Sequence, residues 1–311
     1  MMLKEGNAGV ATVAGRARQI NHWKSTGQLL WFVAPALAFY LVFVLVPAAG
    51  GVWYGFTNWN GLNPTYRFVG LANYAEALTQ DPVFLDAVWF TLQYVGFMVV
   101  LQNVLALFLA VVVEGRSRGR AVFRTILFMP NMISMVIGGF MWLFIFTQVV
   151  PKLANFSIFS FLDRQWIGDP TWSFFSILIV SLWAGVGYLM VIYIAALQGV
   201  PAQLLEAAEI DGASRSRVFR SVTLPMILPS VTIGAFLSLN MSFKVFEVVY
   251  ALTGGGPGRA TQVIALNIFE EAFNMSNRFG YASAKATLLF ALVFAITLIQ
   301  LRVMKSREVQ L

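Results

Sequence analysis

The chain has 311 residues, of which 59% are hydrophobic and only 11% charged, and its mean hydropathy is +0.74. Soluble domains carry about 25% charged residues, so this composition excludes an ordinary soluble fold and points to a membrane. The formal net charge of +7 is dispersed over short segments, which argues against nucleic acid as partner, and the lack of cysteine with a single histidine, His22, excludes disulfides, thiol catalysis and a cysteine or histidine metal site.

Lys4, Arg16, Arg18 and Lys24 precede an apolar run too long for a signal-peptide core and without a small-residue cleavage site. Residues 1–28 therefore read as a cytoplasmic N-terminal segment leading into an uncleaved first span. Crossing the hydrocarbon takes about 20 apolar residues in a helix. Six stretches qualify: 29–52, 87–113, 122–147, 172–197, 226–250 and 286–304, with 305–311 left as a tail. They are continuously apolar and lack the alternation of barrel strands, so the expected fold class is an all-α integral membrane protein with six transmembrane helices.

Between the first two spans, Trp53–Asn60 and the string Phe68-Val-Gly-Leu-Ala-Asn-Tyr74 combine aromatics with glycine and asparagine, as at a membrane interface. The segment from Pro201 to Pro229, between the fourth and fifth spans, is the one polar, charge-rich stretch set between long apolar runs. Pro201 suits a helix start, Ala202–Ile210 is rich in helix formers, and Gly212 stands where a left-handed residue would end that helix. Ser214 is placed to cap a second short helix running toward Leu224, and Pro225 opens the next apolar run. After the fifth span, Ala251-Leu-Thr-Gly-Gly-Gly-Pro257 supplies more glycine than a plain turn needs.

Orientation follows from the basic residues. With the N-terminus inside, the inner segments hold Lys4, Arg16, Arg18, Lys24, Arg116, Arg118, Arg120, Arg124, Arg215, Arg217, Arg220, Arg302, Lys305 and Arg307, and the outer loops hold far fewer. Both termini and the 201–225 loop are thus expected in the cytoplasm. Polar residues inside spans are costly and few: Gln93, Gln102 and Asn103 in the second, Tyr188 and Tyr193 in the fourth, and Ser238, Asn240, Ser242, Lys244 and Glu247 in the fifth. Hydrogen bonding between helices is their ordinary role, and Lys244 and Glu247, three apart, are spaced to pair on one helix face.

The string Glu206-Ala207-Ala208, with Gly212 six residues after the glutamate and Leu228-Pro229 or Leu224-Pro225 beyond, resembles the EAA motif of binding-protein-dependent ABC importer permeases. Phe68–Tyr74, Leu252–Pro257 and Gly280-Tyr-Ala-Ser-Ala284 are similar to segments of the carbohydrate-uptake members, the maltose and glycerol-3-phosphate type. The resemblance runs from about Leu29 to Met304. It implies the type I importer permease fold, with the 201–225 loop carrying a coupling helix that seats in a cytoplasmic ATPase. Glu206, Ala207, Ala208, Glu209, Asp211 and Gly212 would make that contact. It further implies a sugar-contacting set at Ser181, Gly185 and Tyr188 on the fourth span and Ser238, Met241, Ser242 and Val245 on the fifth, to which Asn240 and Lys244 are added as polar neighbours. Met241, Ser242 and Val245 depart from the asparagines common there, so the substrate need not be the same.

The partners implied are a second, related permease subunit, two ATPase subunits, and a periplasmic or surface-tethered substrate-binding protein. The chain contains no Gly-Lys dipeptide and hence no Walker A loop, so ATP and Mg²⁺ would be bound by the partner ATPase and no cofactor by this chain. It is expected to be a translocation subunit of the bacterial inner membrane rather than an enzyme. The rival is a secondary transporter driven by an ion gradient. That reading needs intramembrane carboxylates or repeated broken spans, and it leaves the 201–225 loop unexplained.

Overall fold

The computed structural model describes residues 31–115, 119–275 and 277–305; the segment 1–28 and the residues beyond 305 lie outside them. Secondary structure among the described residues is helical apart from one isolated antiparallel bridge between Thr57 and Phe68. Among the described residues, six helices are long and apolar enough to cross a membrane. The chain divides into two units, the first ending at Tyr54, and the described part of that first unit is the single helix α1, Trp31–Tyr54.

The second unit contains α2 (Ala72–Thr79), α3 (Pro82–Glu114), α4 (Arg120–Phe128), α5 (Met135–Ala154), α6 (Pro170–Gln198), α7 (Ala202–Ile210), α8 (Arg215–Phe243), α9 (Glu247–Leu252), α10 (Ile264–Phe269) and α11 (Phe279–Lys305). Two spans begin on the same device. Asp81 accepts from the Phe84 N–H at 2.9 Å ahead of Pro82, and Asp169 accepts from the Thr171 and Trp172 N–H groups ahead of Pro170. Each carboxylate satisfies orphan donors of the first turn, and the proline stands where its missing N–H costs nothing. At 33 residues, α3 is roughly 50 Å long, so it overreaches a hydrocarbon core of about 30 Å.

Prolines explain three local widenings. The π turns Leu41–Leu45, Ile145–Val149 and Phe219–Thr223 are each followed, two residues on, by Pro47, Pro151 or Pro225. A proline ring clashes with the carbonyl four residues before it. In all three places that carbonyl falls inside the widened turn, so the helix passes its proline without breaking. Accordingly Arg215–Phe243 is one helix, not a short helix and a separate span opening at Pro225. Ser214 occupies its N-cap position, yet the side chain makes no capping hydrogen bond.

Two expected spans are interrupted. The run 122–147 is not one helix: α4 ends at Phe128, Met129–Met132 forms a 3₁₀ turn around Pro130, and α5 starts at Met135. The break lets α4 close onto α6, where a Cβ on Gly187 would lie 2.1 Å from the Leu127 carbonyl oxygen. Likewise the run 226–250 ends as a helix at Phe243 and resumes at Glu247. There α9 turns to bury Val248, Val249, Ala251 and Leu252, with Ala251 against Gly139 of α5.

The core is built where α3, α6 and α8 meet. Tyr94, Met98, Ile177, Leu178, Val180, Leu239 and Phe243 form one buried cluster, and Ala106, Ala110, Leu189, Met190 and Tyr193 another. The end of α3 at Asp81 is held differently, by charge. Lys285 of α11 is fully buried, with Nζ 2.7 Å from Asp81, 3.2 Å from Glu271 and 2.8 Å from the Asn267 oxygen. Tyr281 donates to Asp81 at 2.8 Å, and its ring and that of Phe84 flank the ammonium. Burial pushes the Asp81 carboxyl up, but Lys285, the Phe84 N–H and the Tyr281 hydroxyl outweigh it and hold the group below its ordinary range. Close by, Arg278 pairs with both oxygens of Glu76 at 2.7 Å. Lys285 thus ties together the start of α3, the α10 segment and α11.

The recognisable strings lie around this same end. Asn73 of the Phe68–Tyr74 string is buried and donates to the carbonyls of Gly55 and Thr57 at 2.9 and 2.8 Å. Gly280 packs on the same strand of chain, its N–H donating to the Trp59 carbonyl at 2.7 Å, and a Cβ there would meet the Thr57 oxygen at 2.2 Å. Thr261 closes the glycine-rich loop by donating to the Gly256 carbonyl at 2.5 Å.

Candidate functional site

A cavity of about 400 Å³ opens beside the break in the fifth span. Its walls are Tyr94, Met98 and Gln102 from α3, Ser181, Ala184 and Gly185 from α6, Met241, Ser242, Lys244, Val245, Glu247 and Val248 around the α8–α9 break, and Asn131 and Met135 ahead of and at the start of α5. On α3 and α6 the lining residues recur at helical spacing, so each helix offers one stripe. The lining is mostly apolar with a few polar groups, as in a site for a small organic molecule.

Of the residues expected on a substrate path, Ser181, Gly185, Met241, Ser242, Lys244 and Val245 line this cavity. Tyr188, Ser238 and Asn240 do not. Tyr188 packs with the cluster around Leu189 and Tyr193, and the Asn240 amide donates to the Phe236 carbonyl of its own helix at 3.0 Å. Ser238 is fully buried behind the wall and donates to Gln102 Oε1 at 2.6 Å. The break at residues 244–246 removes the single helix face on which Lys244 and Glu247 would have paired; both side chains line the cavity instead. Gln102, Asn131, Tyr94 and Met98 were not among the expected site residues. Only the polarity of Gln102 within an apolar run marked it in the sequence.

Below the cavity, a second junction repeats the same parts. Asn103 of α3 accepts from the hydroxyl of Tyr193 on α6, and Gly234 of α8 makes room, since a Cβ there would lie 2.2 Å from that hydroxyl. Above it, Gln102 of α3 accepts from Ser238 on α8, and Gly185 of α6 makes room. In each layer α3 gives an amide, one neighbouring helix a hydroxyl and the other a glycine.

The 201–225 loop forms a second candidate surface at the Glu114 end of α3. Helix α7 ends in a Schellman motif: the Gly212 N–H donates to the Glu209 carbonyl and the Ala213 N–H to the Ala208 carbonyl, both at 3.0 Å, with Gly212 at φ +75°. Glu206, Ala207, Glu209, Asp211 and Gly212 are exposed, and Ala208 is half-buried. Leu204 and Ile210 are 43% and 86% exposed, an apolar offering that water alone does not explain. Beneath α7 runs an open groove of about 880 Å³, lined by Leu205, Val111, Leu197, Val218 and Phe219 with Glu114 and Glu209. Glu114 pairs with Arg120 at 2.8 Å and accepts from Gln198 at 3.2 Å, fixing the ends of α3 and α6 next to the groove. Among the described residues no three histidine, aspartate or glutamate side chains are grouped to hold a metal ion.

Comparison with known proteins shows the family. The family model described as "Binding-protein-dependent transport system inner membrane component" matches residues 102–308. The chain is 37% identical over 280 residues, covering 90% of it and 94% of the relative, to the "Probable starch degradation products transport system permease protein AmyD" of Thermoanaerobacterium thermosulfurigenes. It is 32% identical over 278 residues, 89% of this chain and 95% of the other, to the "Multiple sugar-binding transport system permease protein MsmF" of Streptococcus mutans. In fold it matches a chain of a bacterial ABC transporter involved in the import of the acidic polysaccharide alginate, with TM-score 0.79 and 23% identity over 93% of this chain and 99% of that one. With two thirds of its length in the family model and close relatives along nearly all of it, this chain belongs to the family of multi-pass inner membrane components of binding-protein-dependent transport systems.

Proposed function

We propose that this chain is one half of the translocation pathway of an ABC importer for a sugar or sugar derivative. A second, related permease supplies the other half, two ATPase subunits bind ATP and Mg²⁺, and an external binding protein delivers the substrate. Both termini and the α7 loop face the cytoplasm in this reading, as the distribution of basic residues favours. Helix α7, through Glu206, Ala207, Ala208, Glu209, Asp211 and Gly212, seats in the ATPase. Closure of the ATPase pair on ATP moves α7 and opens the spans outward to receive the sugar.

The observation that carries this reading is the cavity at the α8–α9 break, lined by five of the seven residues that the resemblance assigns to sugar contact, Ser181, Gly185, Met241, Ser242 and Val245. A sugar presents hydroxyls at its edge and an apolar ring face, and the cavity lining sets Gln102 and Ser242 beside Met98, Met241 and Val245, the Ser181 hydroxyl itself being buried. The exposed apolar residues of α7 support docking of a further protein at the opposite end.

The test is purification of the wild-type chain and of Glu206→Lys from membranes, followed by vesicle uptake of labelled maltose, trehalose and glycerol 3-phosphate. The wild type is expected to bring down an ATPase and a second six-span subunit and to take up one of these solutes on ATP. The variant is expected to lose the ATPase while keeping the permease partner. A wild-type chain that purifies alone and transports on an ion gradient would sink the proposal.

A further inference from the structure

We propose that Gln102 is a substrate-contacting residue, presenting its amide N–H groups to the cavity as hydrogen-bond donors, and that Gly185 and Ser238 serve chiefly to position it. This rests on the sugar-permease reading but changes which residues do the recognising. Gln102 is 2% exposed and lines the cavity from α3. Its Oε1 is occupied, because Ser238 Oγ donates to it at 2.6 Å. An amide held by its oxygen has a fixed rotation, and its nitrogen is then the end left for a ligand. That nitrogen lies in the notch of Gly185, where an added Cβ would come within 2.5 Å of Nε2 and 3.9 Å of the Met98 methyl.

Two consequences follow from this packing. Ser238 has no surface with which to touch a solute, being fully buried, so its effect on transport passes through Gln102. Gly185 does line the cavity, yet its lack of a side chain is required by the Gln102 amide, whether or not a sugar ring also lies against it. A donor fixed in this way selects for an oxygen lone pair at one place on the ligand, a hydroxyl or ring oxygen, and rejects an analogue without it. The lower layer of Asn103, Tyr193 and Gly234 has the same composition but lines no part of the cavity, and there the amide nitrogen is already engaged, donating to the Val99 carbonyl at 2.6 Å.

The experiment uses the whole transporter in vesicles, with uptake of the best-transported solute among maltose, trehalose and glycerol 3-phosphate. Gln102→Leu and Gln102→Ala are expected to raise KM roughly five- to tenfold, the worth of one neutral hydrogen bond, with the maximal rate near that of wild type. Gly185→Ala is expected to raise KM similarly, and Gly185→Ala/Gln102→Ala to be no worse than Gln102→Ala alone, because the clash has gone. Effects that multiply in the double variant, or a lost maximal rate with unchanged KM for both Gln102 variants, would overturn the proposal. Since the native chain lacks cysteine, Gln102→Cys is also tested with a small cationic thiosulfonate, with Ala106→Cys, at a fully buried position of α3 outside the cavity, as control. Labelling at 102 and not at 106 is expected; an inert 102 overturns the proposal whether or not any of the three solutes is carried. Failure of wild-type uptake with labelling at 102 would count against the sugar reading alone.

Discussion

Gly212 sits at φ +75° with nothing within 4 Å of where a Cβ would be, so a side chain there meets no neighbour and only the backbone objects. The left-handed conformation costs an ordinary residue about 1–2 kcal/mol, more for a β-branched one. Gly212→Val is therefore expected to leave the protein in the membrane but to deform the end of α7, cutting ATP-driven uptake while Gly212→Asn keeps most of it; vesicle transport at matched expression is the measurement. Lys285 is the opposite case, with no exposure and a full set of partners. Lys285→Met would strand Asp81 and Glu271 beside each other, and removing one partner of a buried pair costs about 3–5 kcal/mol. The variant should unfold well below wild type in detergent, and adding Asp81→Asn and Glu271→Gln should restore much of the loss. No recovery in the triple variant would mean that Lys285 acts by packing rather than charge.

Helix ends and widenings were written locally. The Asp-Pro pairs at 81–82 and 169–170 start two spans, and the prolines at 47, 151 and 225 each sit two residues past a π turn. Simple apolar counting, which starts these spans at 87 and 172, is late by five and two residues, because it ignores the polar cap that precedes the run. Breaks were another matter. Pro130 marks the first, but nothing at Lys244–Phe246 is a helix breaker by itself; the break comes from the burial of α9 against α5. Close helix approach depends on glycines whose importance shows only in three dimensions. Gly187→Val is expected to push α4 off α6 and cost about 1–3 kcal/mol by overpacking, read as a lower unfolding temperature, whereas Gly96→Val, on an exposed face of α3 with nothing within 4 Å of its Cβ, should have little effect on the packing of the second unit.

Acid is expected to loosen the charged end of the second unit first. Asp81 is held below its ordinary pKa of 3.8, so its stabilising contribution is complete above that value and lost as pH falls through the lower native one. Unfolding temperature in detergent should drop below about pH 4 in the wild type. Asp81→Asn should start lower and fall less over the same interval; an identical acid profile would remove Asp81 from the account. The membrane class, the number of spans and the polar loop between the fourth and fifth were legible in the sequence, since hydrocarbon thickness fixes span length and a left-handed turn of the Gly212 type favours glycine. The cavity was legible in part: its α3 and α6 linings follow helical spacing, whereas the wall at Met241–Val248 depends on a break that no residue there announces. Gln102 and Lys285 acquired their places only through tertiary neighbours, the Ser238 hydroxyl and the Gly185 backbone for one, the Asp81 and Glu271 carboxylates for the other. Local sequence decides what a segment can be in a bilayer, because each helix satisfies its own backbone there; which polar groups meet, and so which are free to receive a ligand, is decided by the packing of helices against one another.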